Sequence, residues 1–261
     1  MTLFHVPRKR FGQNFLKDET IIHQIVNAIN LKRQDNVIEI GPGLGIITTH
    51  LVKVLEHLYA IEIDRDIASR LLQQFSTQQL TLYCQDVLKF NFSSIFGLKK
   101  IVGNLPYNIS TPLLFYLANF INQIDVMYFM LQKEVAERLL STPSSSSYGR
   151  LTVLMQYDFS INHLFDVPAD AFWPKPAVSS SFICLKPSIG KYGTVQDKIL
   201  FKKLVSLAFS QRRKTLHNAL KTLTSSKLLE KSNVDPDCRA ENLSVFDFVR
   251  LTNELHQSYP H

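Results

Sequence analysis

Four short stretches hold residues able to do chemistry, and each lies at the end of an apolar run. EIGPGLG, Glu39 to Gly45, grows out of VIEI at 37–40 and leads into a helical pattern. Its glycines let the backbone turn tightly against a ligand, and the helix that follows offers unpaired N–H groups at its start. They fall as G-x-G-x-G, with Ile46 where the dinucleotide fingerprint G-x-G-x-x-G wants its third glycine, so the spacing tilts away from a nicotinamide cofactor. Glu62 ends the next run, LYAIEI, where a carboxylate can accept hydrogen bonds from ribose hydroxyls; a solvated acid at a strand end is an equally good reading of that residue alone. Asp86 follows LTLYC, and Asn104 follows KIVG within GNLPYNIS at 103–110. An amide, a proline and an aromatic ring side by side, Asn104, Pro106 and Tyr107, read in isolation equally well as a proline turn with a packed tyrosine.

The elements that must position these residues are legible as periodicity. Runs at 37–40, 58–63, 80–84, 100–103 and 126–131 alternate with helical patterns, the signature of a parallel sheet covered by helices. In such a sheet, ligands bind outside the carboxyl ends of the strands, where the order predicts that Gly41, Glu62, Asp86 and Asn104 meet. Together they describe a pocket for a nucleoside-bearing cofactor. It has no phosphate-loop lysine, which points away from a polyphosphate. Two further runs, 159–167 and 178–185, flank the proline-rich VPADAFWPKPAVS and predict an antiparallel pair closing the sheet edge. Residues 187–197 read as a linker, and only helical patterns follow. Ser144–Ser147 reads as a mobile surface loop.

Composition narrows the class. The chain has 261 residues, 45% of them hydrophobic, ample for a buried core. No apolar run is long enough to span a membrane, the first residues lack a secretory core, and three scattered cysteines suit a reducing compartment, so a cytoplasmic protein is expected. Neither the cysteines nor the eight histidines show metal-ligand spacing, so no metal is expected. The net charge is +7, and residues 186–227 carry ten Lys or Arg against Asp197 alone. That local surplus suits a polyanion such as nucleic acid, or an anionic membrane surface.

FGQNFLKD, EIGPGLG, IEID, QDVL, GNLPYNIS, AFWPKPAVSSSF and FSQRRKTLHNAL, in that order along nearly the whole chain, resemble the small-subunit ribosomal RNA adenine dimethyltransferases. The resemblance implies a Rossmann-like class I methyltransferase fold: a mainly parallel seven-stranded sheet with an antiparallel edge strand, over 1–187, and a small all-helical domain, over 188–261, that binds rRNA. It implies S-adenosylmethionine as cofactor and two adjacent adenosines near the 3′ end of small-subunit rRNA as substrate. The product is N6,N6-dimethyladenosine, the partner is the small ribosomal subunit, and the wider role is subunit biogenesis. NLPY matches the Asn/Asp-Pro-Pro-Tyr signature of enzymes that methylate exocyclic amines. By that resemblance the Asn104 side chain and the Leu105 carbonyl accept the amine hydrogens, Pro106 stiffens the turn, and Tyr107 stacks on the base. Phe172 is read as the opposite stacking face.

For the cofactor the resemblance implies Glu62 on the ribose, Asp86 on the adenine amine with Val87 beside it, and Asn14 and Leu16 over the methionine end near Gly41 and Gly43, with Asn104 at the methyl. Gln13 joins them, and Glu39 braces the glycine turn. Lys202, Lys203, Arg212, Arg213 and Lys214 are read as phosphate contacts, with Arg8-Lys9-Arg10 as a second basic cluster. Trp173 and the serine run depart from the family pattern. Three other readings compete: a large-subunit rRNA methyltransferase of the antibiotic-resistance type, a non-catalytic assembly factor, and a nicotinamide oxidoreductase. A monomer is the default.

Overall fold

The computed structural model describes residues 7–8, 12–211 and 213–258. In chain order the elements begin β1 (Phe15–Leu16), α1 (Glu19–Ile29), β2 (Val37–Ile40), α2 (Ile46–Leu51), β3 (Leu58–Glu62), α3 (Arg65–Gln74), β4 (Leu80–Cys84), β5 (Lys99–Asn104), α4 (Ser110–Leu117) and β6 (Ile124–Gln132). There follow α5 (Lys133–Leu140), α6 (Arg150–Asp158), β7 (Phe159–Val167), β8 (Phe172–Trp173), β9 (Ser180–Pro187), α7 (Lys198–Ala208), α8 (Leu216–Leu220), α9 (Ser226–Lys231) and α10 (Val245–Ser258). Among the described residues no helix is long and apolar enough to cross a membrane.

The chain divides into two compact units, 1–136 with 161–187, and 137–160 with 188–261. One division falls between 187 and 188, and 137–160 groups with the helical part instead of the sheet. The reason is packing: Tyr148, Val153 and Tyr157 bury into the core of α7 and α10 residues such as Phe201, Leu204 and Phe248. The serine run, expected to be mobile, is tied down. The Ser144 N–H donates to the Glu241 carbonyl at 2.7 Å, and Asn242 Nδ2 donates to Ser144 Oγ at 3.1 Å.

In the first unit the main sheet runs β4-β3-β2-β5-β6-β9-β7. The interior strand β2 is buried along its whole length, and apart from Glu39 its VIEI sequence is the apolar run of a parallel strand covered on both faces. It pairs in parallel with β3 on one side and β5 on the other. The chain therefore builds outward from β2 through β3 to β4, returns, and builds the other way from β5 to β6. That reversal is the topological switch point at which open α/β sheets bind ligands. β9 is antiparallel to β6, from Met127↔Leu185 to Gln132↔Ser180, and β7 takes the outer edge beside it.

Acidic caps start helices in both units. Asp18 caps α1, its side chain accepting from the N–H groups of Thr20 and Ile21, and Ile22, Ile25 and Ile29 bury one face of that helix. In the second unit Asp197 caps α7, which buries Leu200, Phe201, Leu204, Val205 and Ala208 and leaves Lys202 and Lys203 exposed.

β1 and β8 form a separate antiparallel pair, Phe15↔Trp173 and Leu16↔Phe172. This corrects the reading of Phe172. Its ring is 1% exposed and packs in the sheet core, so it offers no open stacking face. Phe172→Ala should lower stability by about 3–5 kcal/mol in urea unfolding through the cavity it leaves. A loss below about 1 kcal/mol would contradict its place in the core.

Candidate active site

β2 ends at Gly41, whose φ of 65° lies in the left-handed region and whose N–H donates to the Ile61 carbonyl at 2.9 Å. A Cβ on Gly41 would meet no atom within 4 Å, so the residue faces open space. At Gly43, φ 55°, a Cβ would lie 3.1 Å from the Phe15 ring, and the missing side chain is what lets that ring approach. Glu62, at the end of β3, is nearly buried. Its Oε2 accepts from the Gly43 N–H at 3.3 Å and its Oε1 from the Asp64 N–H at 2.9 Å. Burial pushes its carboxyl pKa up, and these backbone donors pull against that shift.

Glu39, two residues before Gly41, was expected to brace the glycine turn; its side chain instead ties to α2, where Thr48 Oγ1 donates to its Oε2 at 2.7 Å. It also lines the cavity. Burial pushes its pKa up to about 7, the Thr48 hydroxyl opposes the shift, and the charge of Glu62 adds to it.

Asp86 follows β4 and caps a short turn, its Oδ1 accepting from the Leu88 N–H at 2.9 Å, with Val87 buried beside it. On β5, Asn104 donates through Nδ2 to the Asn14 carbonyl at 2.9 Å, which settles which end of its amide is occupied and leaves Oδ1 as the acceptor. The Leu105 N–H continues the ladder to Met130 at 3.2 Å. The Pro106 carbonyl accepts from the Ile109 N–H at 3.1 Å and Ser110 Oγ at 3.0 Å, closing the turn before α4.

Tyr107 is anchored at its far end, its hydroxyl 2.9 Å from the hydroxyl of fully buried Ser180, and burial raises its pKa. Ser180 was given no role by the sequence. Its only signal is its place in AFWPKPAVSSSF, with nothing to say which of three serines faces the tyrosine.

One cavity gathers Gly41, Gly43, Glu62, Asp86, Val87, Asn104, Leu105, Pro106 and Tyr107 with Asn14, Leu16 and Gln13 of the N-terminal segment; Phe172 is not among its walls. No lysine or arginine lines it among the described residues. Gln13 Nε2 donates to Asp64 Oδ2 at 3.0 Å, and Arg8 Nη1 donates to Asp64 Oδ1 at the same distance while also pairing with Asp66. Arg8, read as a phosphate contact, is thus engaged in holding this segment to the start of α3; Lys9 and Arg10 lie outside the described residues.

This sheet order, with a cavity at its switch point, is the class I methyltransferase fold. A crystal structure of a dimethyladenosine transferase from Plasmodium falciparum superposes with a TM-score of 0.81 at 28% identity, covering 93% of this chain and 98% of that one. That of the 23S rRNA methyltransferase ErmE gives a TM-score of 0.70 at 22% identity, covering 94% and 100%, a likeness of fold. The family model described as ribosomal RNA adenine dimethylase matches residues 5–257. Two relatives carry the name ribosomal RNA small subunit methyltransferase A. The one from Chromobacterium violaceum is 54% identical over 97% of both chains, and the one from Neisseria meningitidis serogroup C is 49% identical over 96% of this chain and 97% of its own. The chain belongs to the ribosomal RNA adenine dimethylase family, and it is a methyltransferase.

Glu39 generates a pH test. Its folded pKa lies above that of an unfolded carboxylate, so the folded protein holds the extra proton between them, and stability falls as pH rises from about 4.5 to about 7. Glu39→Gln should remove that slope. Relative to wild type it should gain about 2–3 kcal/mol in urea stability between pH 5 and pH 8. Parallel pH profiles for the two proteins would contradict the buried carboxyl.

Proposed function

We propose that the enzyme transfers methyl groups from S-adenosylmethionine to N6 of two adjacent adenosines near the 3′ end of small-subunit rRNA, giving N6,N6-dimethyladenosine during subunit biogenesis. The observation that carries this reading is the fixed Asn104 amide, Nδ2 tied to Asn14 and Oδ1 left to accept, in a cavity bounded by two carboxylates at neighbouring strand ends. The relatives' names favour the small-subunit substrate over the large-subunit one, since the large-subunit enzyme shares only the fold.

The cavity residues fit the cofactor. Glu62 and Asp86 accept hydrogen bonds from hydroxyls and amines, Gly41 leaves open the space a Cβ would take, and no cationic side chain among the described lining residues calls for a phosphate. Glu62 would hold the ribose, Asp86 with Val87 the adenine, and Asn14 and Leu16 the methionine end near Gly41 and Gly43. When bound, S-adenosylmethionine supplies a methyl made electrophilic by its sulfonium.

The chain's own residues must then make the amine a nucleophile, because its lone pair is delocalised into the purine. Asn104 Oδ1 and the Leu105 carbonyl accept its two hydrogens and turn the lone pair toward the methyl. Pro106 has no N–H and a restricted φ, which keeps the carbonyls of this turn in place. Tyr107, held at its hydroxyl by Ser180, stacks on the extruded base. Positioning and electrostatics carry the reaction. As the N–C bond forms the amine releases one proton to solvent, so one N–H remains after the first transfer and the amine must rotate between the two acceptors before the second.

In the helical unit Lys202, Lys203, Arg213 and Lys214 are exposed, with Asp158 acting on Lys202, and Arg212 lies outside the described residues. These cations grip phosphates and position the RNA without reading sequence. The enzyme works as a monomer in the cytoplasm.

Two measurements test this. Unmethylated small subunits incubated with labelled S-adenosylmethionine should yield N6,N6-dimethyladenosine on nucleoside digestion, with kcat lowered roughly a hundredfold or more in Asn104→Ala. Tight binding without incorporation by the wild-type protein would point to an assembly factor instead. Arg213→Ala/Lys214→Ala should leave cofactor binding unchanged and reduce the slope of log affinity against log salt by about 1.4–1.8. An unchanged slope would remove both residues from the interface.

A further inference from the structure

The pairing of β1 with β8 turns one large ring outward. Successive side chains on a strand point to opposite faces. Burial of Phe172 therefore directs Trp173 to solvent, where it is 47% exposed. Its backbone is fixed by the Phe15↔Trp173 register and by the Lys17 N–H donating to the Ala171 carbonyl at 2.8 Å. Its indole lies along the Phe15 ring, with centroids 6.5 Å apart and 24° between planes. Phe15 is in turn a wall of the cavity and packs over Gly43. Gly43, Phe15 and Trp173 thus form a file from the glycine turn to the surface.

Lys17 is exposed, and Lys175, two residues beyond Trp173, is exposed and pairs with Asp170 at 2.6 Å. Asp18 and Glu19 follow Lys17 in the chain, so the charges near the indole are mixed in sign.

Single exposed apolar residues are ordinary on protein surfaces. Trp173 differs in having its backbone fixed by strand pairing and its ring stacked on a wall of the cavity. We propose that Trp173 is a stacking platform for a base flanking the target adenine, with Lys17 and Lys175 toward the adjoining phosphates. The inference rests on the function proposed above. An adenine that reaches Asn104 must leave its stack, which strips a neighbouring base of its partner, and an aromatic surface beside the cavity replaces that contact. Tyr107 serves the target ring itself, so the outer indole serves its neighbour.

Trp173 is the only tryptophan of the chain, so its emission reports this position alone. The full chain is titrated with a single-stranded oligoribonucleotide containing two adjacent adenosines, and binding is followed independently by anisotropy of the labelled oligonucleotide. Quenching that saturates along the same isotherm is expected. Trp173→Leu keeps an apolar cover over Phe15 but has no π face; on unmethylated small subunits its KM should rise roughly tenfold with kcat within twofold, and Trp173→Phe should restore most of the loss. Unquenched emission at saturating oligonucleotide, or a wild-type KM in the Leu variant, overturns the platform while wild-type turnover leaves the methyltransferase reading standing. No turnover by the wild-type protein sinks that reading separately, and the emission titration still decides whether Trp173 meets RNA.

Discussion

The switch point between β2 and β5 is the constraint from which the site follows. Parallel neighbours cannot be joined by a tight turn, so each strand must be followed by a long crossover before the next begins. All the strands from β2 to β6 consequently end at the same edge of the sheet. Where the chain changes direction, the crossovers leaving β2 and β5 diverge and a crevice opens between them. Gly41, Glu62, Asp86 and Asn104 are far apart in sequence and share one cavity because each lies at, or within two residues beyond, the end of its strand.

Within that crevice the electrostatics select the ligand. Glu39 and Glu62 are both nearly buried, and the charge of Glu62 raises the cost of charging Glu39. They persist because a hydroxyl and two backbone N–H groups are bonded to their oxygens. A floor of this kind disfavours anionic groups and welcomes donors and cations. Asp64, wholly buried, continues the theme at the rim, where it takes hydrogen bonds from Gln13 and Arg8 and so holds the N-terminal segment beside the cavity.

Tyr107, a lining residue of the cavity, is fastened from β9. Ser180 anchors Tyr107, and the next residue, Ser181, donates to Asp166 at 2.7 Å. Lys133 and His163 also bond Asp166, and together these donors hold its carboxyl well below the usual carboxylate range. Successive residues of one strand thus serve opposite faces, one fixing the aromatic of NLPY and the other fastening the edge strand β7. The same alternation, one strand earlier, buries Phe172 and exposes Trp173.

Much of this was legible in the sequence. Apolar runs between helical patterns identify the parallel strands, because burial on both faces demands continuous hydrophobicity, and the chemistry at their ends follows from the rule that ligands meet strand ends. β7 and the helical pattern of the second unit were equally plain, since periodicity is local. What only the tertiary structure decided depends on contacts between distant segments. The grouping of 137–160 with the helical unit turns on where Tyr148, Val153 and Tyr157 find a core. The anchoring of the serine run depends on Glu241 and Asn242. The commitment of Arg8 to Asp64 and Asp66 removes a cation that local charge assigned to phosphate. Phe172 was misread for the same reason: an aromatic in a proline-rich loop carries no sign of which way it faces until β1 pairs with β8 and fixes the alternation.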